Sequence, residues 1–180
     1  MAEMNRCEKF FVNSPLFDWF NKKWGVKSLL EWITVRKASR ILEIGCGKGT
    51  TTFCIAQRFP DASIIGLDYD PAQIDLAKKT NQIENVTFVV GDAERLTYSS
   101  GRFDVVVEVL SLHHMPNWKK AIAEIYRVLR PKGHFVMKDM QSVFHGKISM
   151  EEYISEMEKV GFQVLQRKGK HYFMVEAVKK

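Results

Sequence analysis

Residues 41–49, Ile41-Leu42-Glu43-Ile44-Gly45-Cys46-Gly47-Lys48-Gly49, constrain this chain more than any other stretch. An apolar run carries an acid near its end and is followed at once by three glycines at alternate positions. The run reads as a buried strand. Glycines spaced this way mark a turn where the backbone passes close to a ligand. A strand, a glycine turn and a helix in succession open the nucleotide-binding α/β folds. The spacing then narrows the ligand. A dinucleotide fingerprint needs its third glycine where this chain has Thr50, so that pyrophosphate sits on the helix N-terminus. Here the pattern is E-x-G-x-G-x-G, with the acid inside the strand end. That suits a ligand with a cationic amino acid tail better than a diphosphate.

Four further segments repeat the theme. Ile64-Ile65-Gly66-Leu67-Asp68-Tyr69-Asp70 is a second apolar run ending in an acid, and Asp68 lies 19 residues after Gly49. That is about the distance at which a second strand end reaches a ribose, whose hydroxyls an aspartate accepts. Tyr69 beside it offers a ring to a base. Val86–Val90 ends in Gly91-Asp92-Ala93, and Phe103–Glu108 leads into Val109-Leu110-Ser111-Leu112-His113-His114. Leu129-Arg130-Pro131-Lys132-Gly133-His134 then precedes Phe135-Val136-Met137.

In this order, over residues 40–139, the five segments resemble the motifs of the class I S-adenosylmethionine-dependent methyltransferases, and the likeness covers residues 38–180. The last segment is similar to the family's L-x-P-G-G turn, with His134 at the second glycine as a departure. The resemblance implies S-adenosyl-L-methionine as cofactor and S-adenosyl-L-homocysteine as product. It implies a seven-stranded, mostly parallel sheet with a C-terminal antiparallel hairpin and helices on both faces. Glu43, Gly45, Cys46, Gly47 and Gly49 fall where the family holds the amino acid end of the donor. Asp68 and Tyr69 fall at the ribose and adenine, Gly91, Asp92 and Ala93 at the adenine, and main-chain groups near Glu108 and Leu110 complete the cradle.

Methyl transfer from a sulfonium is a direct displacement, so the protein has to align the partners and remove a proton where the acceptor needs it. His113, His114, Glu108 and Asp139 all stand at strand ends on the ligand side. Of these, His113 and Glu108 are the candidate bases. Adjacent residues seldom face one pocket, which favours one histidine over the pair and argues against a metal site there. Asp139 is also placed to cap the loop that follows strand five.

Helices are expected at Thr50–Phe59, Pro71–Thr80, Asn117–Leu129 and Met150–Val160. Pro71 suits a first helical turn with Asp70 as its cap. Ile122, Ile125, Val128 and Leu129 make one apolar face. Phe162–Gln166 and Tyr172–Val178 read as a closing hairpin around Arg167–Lys170. Residues 1–37 carry most of the aromatic residues, among them Phe10, Phe11, Phe17, Trp19, Phe20, Trp24 and Trp32. They read either as helices packed on the sheet or as a helical lid, centred on Phe10 to Phe20, over cofactor and acceptor.

Composition excludes several classes. The chain has 180 residues, enough for one well-buried domain. No apolar stretch is long enough to span a membrane and none resembles an export leader, although peripheral membrane contact stays open. Three cysteines without a C-x-x-C pair argue against disulfides or zinc and point to a reducing cytoplasm. The net charge of +6 is spread over scattered basic pairs, the mark of a solvated face. Enzymes that methylate base amines carry [N/D]-P-P-[Y/F] at strand four to grip a flipped base, where this chain has Glu108-Val109-Leu110-Ser111, so nucleic acid is disfavoured. The apolar N-terminus and similarity to quinone-biosynthesis C-methyltransferases imply a hydrophobic small-molecule acceptor. The alternatives are a protein or RNA methyltransferase, a non-catalytic S-adenosylmethionine-binding module and a nicotinamide-dependent oxidoreductase. Neither the acceptor's identity nor the oligomeric state is written in the sequence.

Overall fold

Short Val- and Ile-rich runs bounded by glycine and proline pair side by side because only a sheet covered on both faces buries every second residue in both directions. The computed structural model describes residues 26–35, 39–141 and 148–180. Its elements in chain order are α1 (Val26–Trp32), β1 (Arg40–Ile44), α2 (Thr50–Arg58), β2 (Ser63–Asp68), α3 (Pro71–Thr80), β3 (Val86–Val90), β4 (Phe103–Val109), α4 (Trp118–Val128), β5 (Leu129–Met140), α5 (Met150–Val160), β6 (Phe162–Gly169) and β7 (Tyr172–Lys179). A single 3-10 turn, Leu112–His114, follows β4. The seven strands stand in the order β3-β2-β1-β4-β5-β7-β6. The first five are parallel, and β7 and β6 are antiparallel. The expected fold is observed. Strand order reverses between β1 and β4, and the crevice outside that reversal is where open α/β sheets bind ligands.

The two faces follow from alternation along each strand. Leu42, Ile44, Val106, Phe135 and Met137 face α4 and α5 in one fully buried cluster. Their neighbours Ile41, Val105, Val107 and Val136 face the other way, against α1 and α2. Leu29 and Ile33 belong to that second cluster, so the described part of the N-terminal segment is core. The lid assigned to Phe10–Phe20, and the boundary at residues 37 and 38, lie outside the described residues.

Local chemistry sets the ends. Asp70 Oδ1 accepts the Ala72 N–H at 2.9 Å ahead of Pro71. Ser149 and Glu152 form a reciprocal capping box on α5. Two expected boundaries shift. Leu129 leaves α4 because it pairs in register with Phe103. The strands of the hairpin are longer than expected, since Arg167–Gly169 stays paired with Val175–Phe173, leaving Lys170 and His171 as the turn.

The turn before β5 also corrects a residue assignment. Lys132 has φ 60, the left-handed region that favours glycine. A Cβ on Gly133 would stand 2.8 Å from the Arg130 carbonyl oxygen. The position that departs from the glycine pair is therefore Lys132. His134 is an ordinary strand residue whose Nδ1 lies 2.8 Å from Glu176 Oε1. Tertiary register, not the motif spacing, identifies it.

Phe135 is fully buried in the first cluster, with its ring centroid 5.9 Å from that of Phe162. Phe135→Ala is expected to lower unfolding free energy by about 3–5 kcal/mol, measured by urea denaturation at unchanged slope. A loss below about 1 kcal/mol would show that the cluster is loosely filled.

Candidate functional site

The glycine turn between β1 and α2 folds as its sequence demands. Gly45, Gly47 and Gly49 have φ of 67, 52 and 83, all in the left-handed region. At Gly45 a side chain would meet Ser111 Cβ at 2.2 Å, and at Gly49 it would meet the Phe88 ring at 2.6 Å. Those two glycines are required by protein packing. Gly47 differs: a Cβ there would have only Gln73 Oε1 nearby, at 3.8 Å. The space over Gly47 is open, so its glycine leaves room for something other than protein.

The neighbouring strand ends are stitched to this turn. Asp68 Oδ2 accepts the Gly47 N–H at 2.8 Å, and Oδ1 accepts the Asp70 N–H at 2.9 Å. Cys46 N–H donates to the Leu67 carbonyl at 3.0 Å, and Gly91 N–H donates to the Asp68 carbonyl at 2.9 Å. A Cβ on Gly91 would meet Leu67 Cδ1 at 2.7 Å, so β3 ends as close to β2 as a glycine permits. Asp92 Oδ1 takes the Glu94 N–H at 2.9 Å, a local turn that fixes its carboxylate at the same edge. Tyr69 is 42% exposed there, and Ala93 is buried in the core. Cys46 turns its side chain into a small cluster with Ile74, Ala77 and Phe88. Burial pushes its thiol up, which leaves it a neutral core group whose contribution to the turn is main chain.

Three carboxyls gather at this edge without a cation. Glu43 is wholly buried and accepts the Thr52 hydroxyl from α2. Glu108 Oε1 accepts the Ser111 N–H at 2.5 Å, the Ser111 hydroxyl at 2.9 Å and the Leu112 N–H at 3.0 Å, while Oε2 has no partner. Among the described residues no Lys, Arg or His forms an ion pair with Glu43, Asp68 or Glu108. Burial, with the charges of Asp68 and Glu108 adding to it, pushes Glu43 up to about 8 despite the Thr52 bond. Burial also raises Asp68 and Glu108, the latter further through Asp139. Such groups favour a positive charge placed among them.

On the far side of β4, Leu110 adopts φ 54, a strained value for a branched residue at a strand end. Its N–H donates to the Lys138 carbonyl at 2.8 Å, and Ser111 Oγ donates to the Ile44 carbonyl at 3.2 Å. These bonds fold the segment after β4 back onto Gly45 and carry Leu112–His114 to the end of β5. There Asp139 is buried and meets His113 Nδ1 at 2.5 Å. His114 stacks on His113 with ring centroids 4.0 Å apart. Among the described residues no His, Cys, Asp and Glu cluster has the makings of a metal site.

Gln73, Thr52 and Ser111 belong to this arrangement and were not singled out by the sequence. Gln73 is almost fully buried on α3 and its Oε1 has no partner. Its amphipathic position in an unremarkable helix carries no signal of that. Ser111 shows only as an ordinary polar residue, since its closeness to Gly45 depends on the β1–β4 register.

The buried acids make the ligand-free fold sensitive to pH. A carboxyl raised in the folded state contributes stability in full below its ordinary value of 4.5, and that stability is lost as pH rises through about 8. The melting temperature of the ligand-free protein is therefore expected to fall between pH 6 and pH 9, read by calorimetry. A flat or rising profile would mean that a cation already neutralises the cluster.

Comparison with known proteins agrees with this geometry. A family model described as a methyltransferase domain matches residues 36–176. The phthiotriol/phenolphthiotriol dimycocerosates methyltransferase of Mycobacterium leprae is 40% identical over 102 residues, covering 57% of this chain and 38% of that protein. The fatty-acid O-methyltransferase of Mycolicibacterium smegmatis is 29% identical over 144 residues, covering 80% of this chain and 51% of that protein. The chain thus spans between about two-fifths and half the length of these curated relatives. The solved structure of an S-adenosylmethionine-dependent methyltransferase from Mesorhizobium loti superposes with a TM-score of 0.74 at 15% identity, covering 85% of this chain and 96% of that one, and so shares the fold. With its glycine turn, its row of strand-end acids and its antiparallel hairpin, the chain belongs to the class I S-adenosylmethionine-dependent methyltransferase family.

Proposed function

We propose that the chain binds S-adenosylmethionine at the glycine turn and transfers its methyl group to a hydrophobic small molecule. One observation carries the reading. Glu43, Asp68 and Glu108 converge on the β1–β4 crevice with no cationic partner, beside an open space over Gly47. A donor with an ammonium and a sulfonium supplies the missing positive charge. A nicotinamide dinucleotide would bring two phosphates to three carboxyls, against Coulomb's law at short range.

The residues present suit such a ligand. Each Asp68 oxygen already holds one N–H and keeps a second lone pair for a ribose hydroxyl. Asp92 uses one oxygen on Glu94 and has the other for the adenine amine. Tyr69 offers its exposed ring, and the unpartnered Gln73 Oε1 borders the space over Gly47. Glu43, held by Thr52, sets a negative potential beneath the donor's amino acid end. The bound donor supplies an electrophilic methyl group with a neutral thioether as its leaving group. The chain supplies alignment and exclusion of water. Glu108 has no exposed surface, so its part is to hold the segment Ser111–Leu112 in place.

The acceptor class draws on the relatives, one named for dimycocerosates and one for fatty acids. Among the described residues no helix is long and apolar enough to cross a membrane. A lipid-like acceptor must then reach the crevice from its own carrier or from a membrane surface.

Asp68→Ala is expected to weaken S-adenosylmethionine binding at least ~10-fold in calorimetry, from the loss of charge-assisted bonds worth roughly 1.5–3 kcal/mol. Gly47→Val is expected to fold and to lose more, because its side chain fills the open space. Unchanged affinity in a folded Asp68→Ala protein would place the ribose elsewhere. Incubation with methyl-labelled S-adenosylmethionine and a lipid extract should move label into the organic phase. Label retained wholly by the donor would argue for a binding module.

A further inference from the structure

Resting on the methyl-transfer reading above, we propose that His113 accepts the proton of a hydroxyl group as that group is methylated, with Asp139 and Tyr153 as the residues that position it. The chemical class of acceptor is then a hydrophobic alcohol. The inference stands on how completely one buried carboxylate is committed to one histidine. Asp139, at the C-terminal end of β5, receives four donors. They are the His113 N–H at 3.2 Å, His113 Nδ1 at 2.5 Å, the Met140 N–H at 2.7 Å and the Tyr153 hydroxyl at 3.3 Å. Both the main chain and the ring of His113 are pinned by the same side chain.

A carboxylate at Nδ1 requires the proton of neutral imidazole to sit there, which makes Nε2 the accepting nitrogen. Anchoring the turn alone would need only the His113 main-chain N–H. The ring bond adds a fixed tautomer and a stabilising charge for the imidazolium. The place is right as well. His113 stands two residues after Ser111, whose side chain lies against Gly45, so the histidine and the donor cradle share one edge of the sheet.

The groups facing this pair, among the described residues, are Glu108 from β4, Tyr153 from α5 and His114 from the same turn, with Glu152 beyond Tyr153. Two buried carboxyls as close as Glu108 and Asp139 do not both ionise freely. Their hydrogen bonds decide which one does. Glu108 has one oxygen without any donor, whereas both Asp139 oxygens are served. The shared proton rests on Glu108, and Asp139 carries the charge beneath His113. Burial and the two acids push the Tyr153 phenol up, which keeps it a donor at every working pH.

A carboxylate acceptor is already nucleophilic and needs no base, while an aliphatic hydroxyl does. In the step proposed, the hydroxyl oxygen bonds to the methyl carbon as the methyl–sulfur bond breaks with its electron pair left on sulfur. The hydroxyl proton passes to His113 Nε2. The imidazolium, stabilised by Asp139, then returns its proton to solvent.

The test joins a spectroscopic readout to a kinetic one. In 15N-labelled full chain saturated with S-adenosylhomocysteine, neutral His113 is expected to be protonated at Nδ1. Asp139→Asn should lower the His113 pKa by removing the charge. Tyr153→Phe should raise it, because a carboxylate with one donor fewer attracts the imidazolium more strongly. The acidic limb of kcat against pH, with 1-hexadecanol in detergent micelles as probe, should move in the same two opposite directions. His113→Gln should cost roughly 100-fold or more in kcat on 1-hexadecanol, with S-adenosylmethionine affinity retained. With hexadecanoate it should cost little. An Nε2-protonated ring, a pH limb unmoved by both variants, or a His113→Gln protein that methylates 1-hexadecanol within about threefold of the parent would each overturn the proposal. Label in neither probe would count against the lipid acceptor proposed above, and the tautomer measurement would still judge the histidine on its own.

Discussion

Negative charge without a counter-charge is the constraint around which this molecule is arranged. Glu43, Asp68 and Glu108 end three adjacent strands of one parallel sheet, and none meets a cation among the described residues. Burying a carboxyl is costly unless it is protonated, paired or richly hydrogen-bonded. The chain uses the last device wherever it can. Thr52 serves Glu43, two main-chain N–H groups serve Asp68, and the Ser111–Leu112 turn serves Glu108. The residual cost is what a cationic ligand relieves, so the instability of the empty site and its affinity have one source.

The same crowding explains why conformational strain collects here. Three glycines with left-handed backbone and one leucine at φ 54 lie within the loops around the β1–β4 reversal. Gly45 and Ser111 approach too closely for any side chain at 45, which is how the segments after β1 and after β4 come to share a hydrogen-bonded seam. Elsewhere the backbone is regular and the helices are capped by ordinary means, Asp70 and the Ser149–Glu152 box among them. Strain confined to one edge of an otherwise relaxed sheet marks where binding, rather than folding, set the residue choice.

Each face of the sheet carries its own polar island. Glu43 and Thr52 sit toward α2, beneath the glycine turn. Glu108, Asp139, His113 and Tyr153 sit toward α4 and α5. The division follows from strand alternation, since Glu43 shares parity with Ile41 and Glu108 with Val106. One island suits the cofactor and the other the chemistry at the acceptor. Two helices on opposite faces can thus be altered with separate consequences for affinity and for turnover.

The sequence by itself determined the elements and the cofactor edge, because those depend on local spacing. An apolar run, three alternate glycines and strand-end acids follow one another within short reach, and Pro71 and Gly161 mark helix limits that the structure keeps. Pairing register was not legible, since it arises between segments far apart in the chain. It moved Leu129 from helix to strand, lengthened the hairpin, and placed the glycine-demanding backbone at Lys132 rather than His134. Side-chain partnership was less legible still. His113 and Asp139 lie 26 residues apart, and Tyr153 lies 14 further on, yet one carboxylate joins them. Nothing in the pattern around Tyr153 distinguishes it from any core aromatic, and only the packing of α5 against the end of β5 gives its hydroxyl a partner.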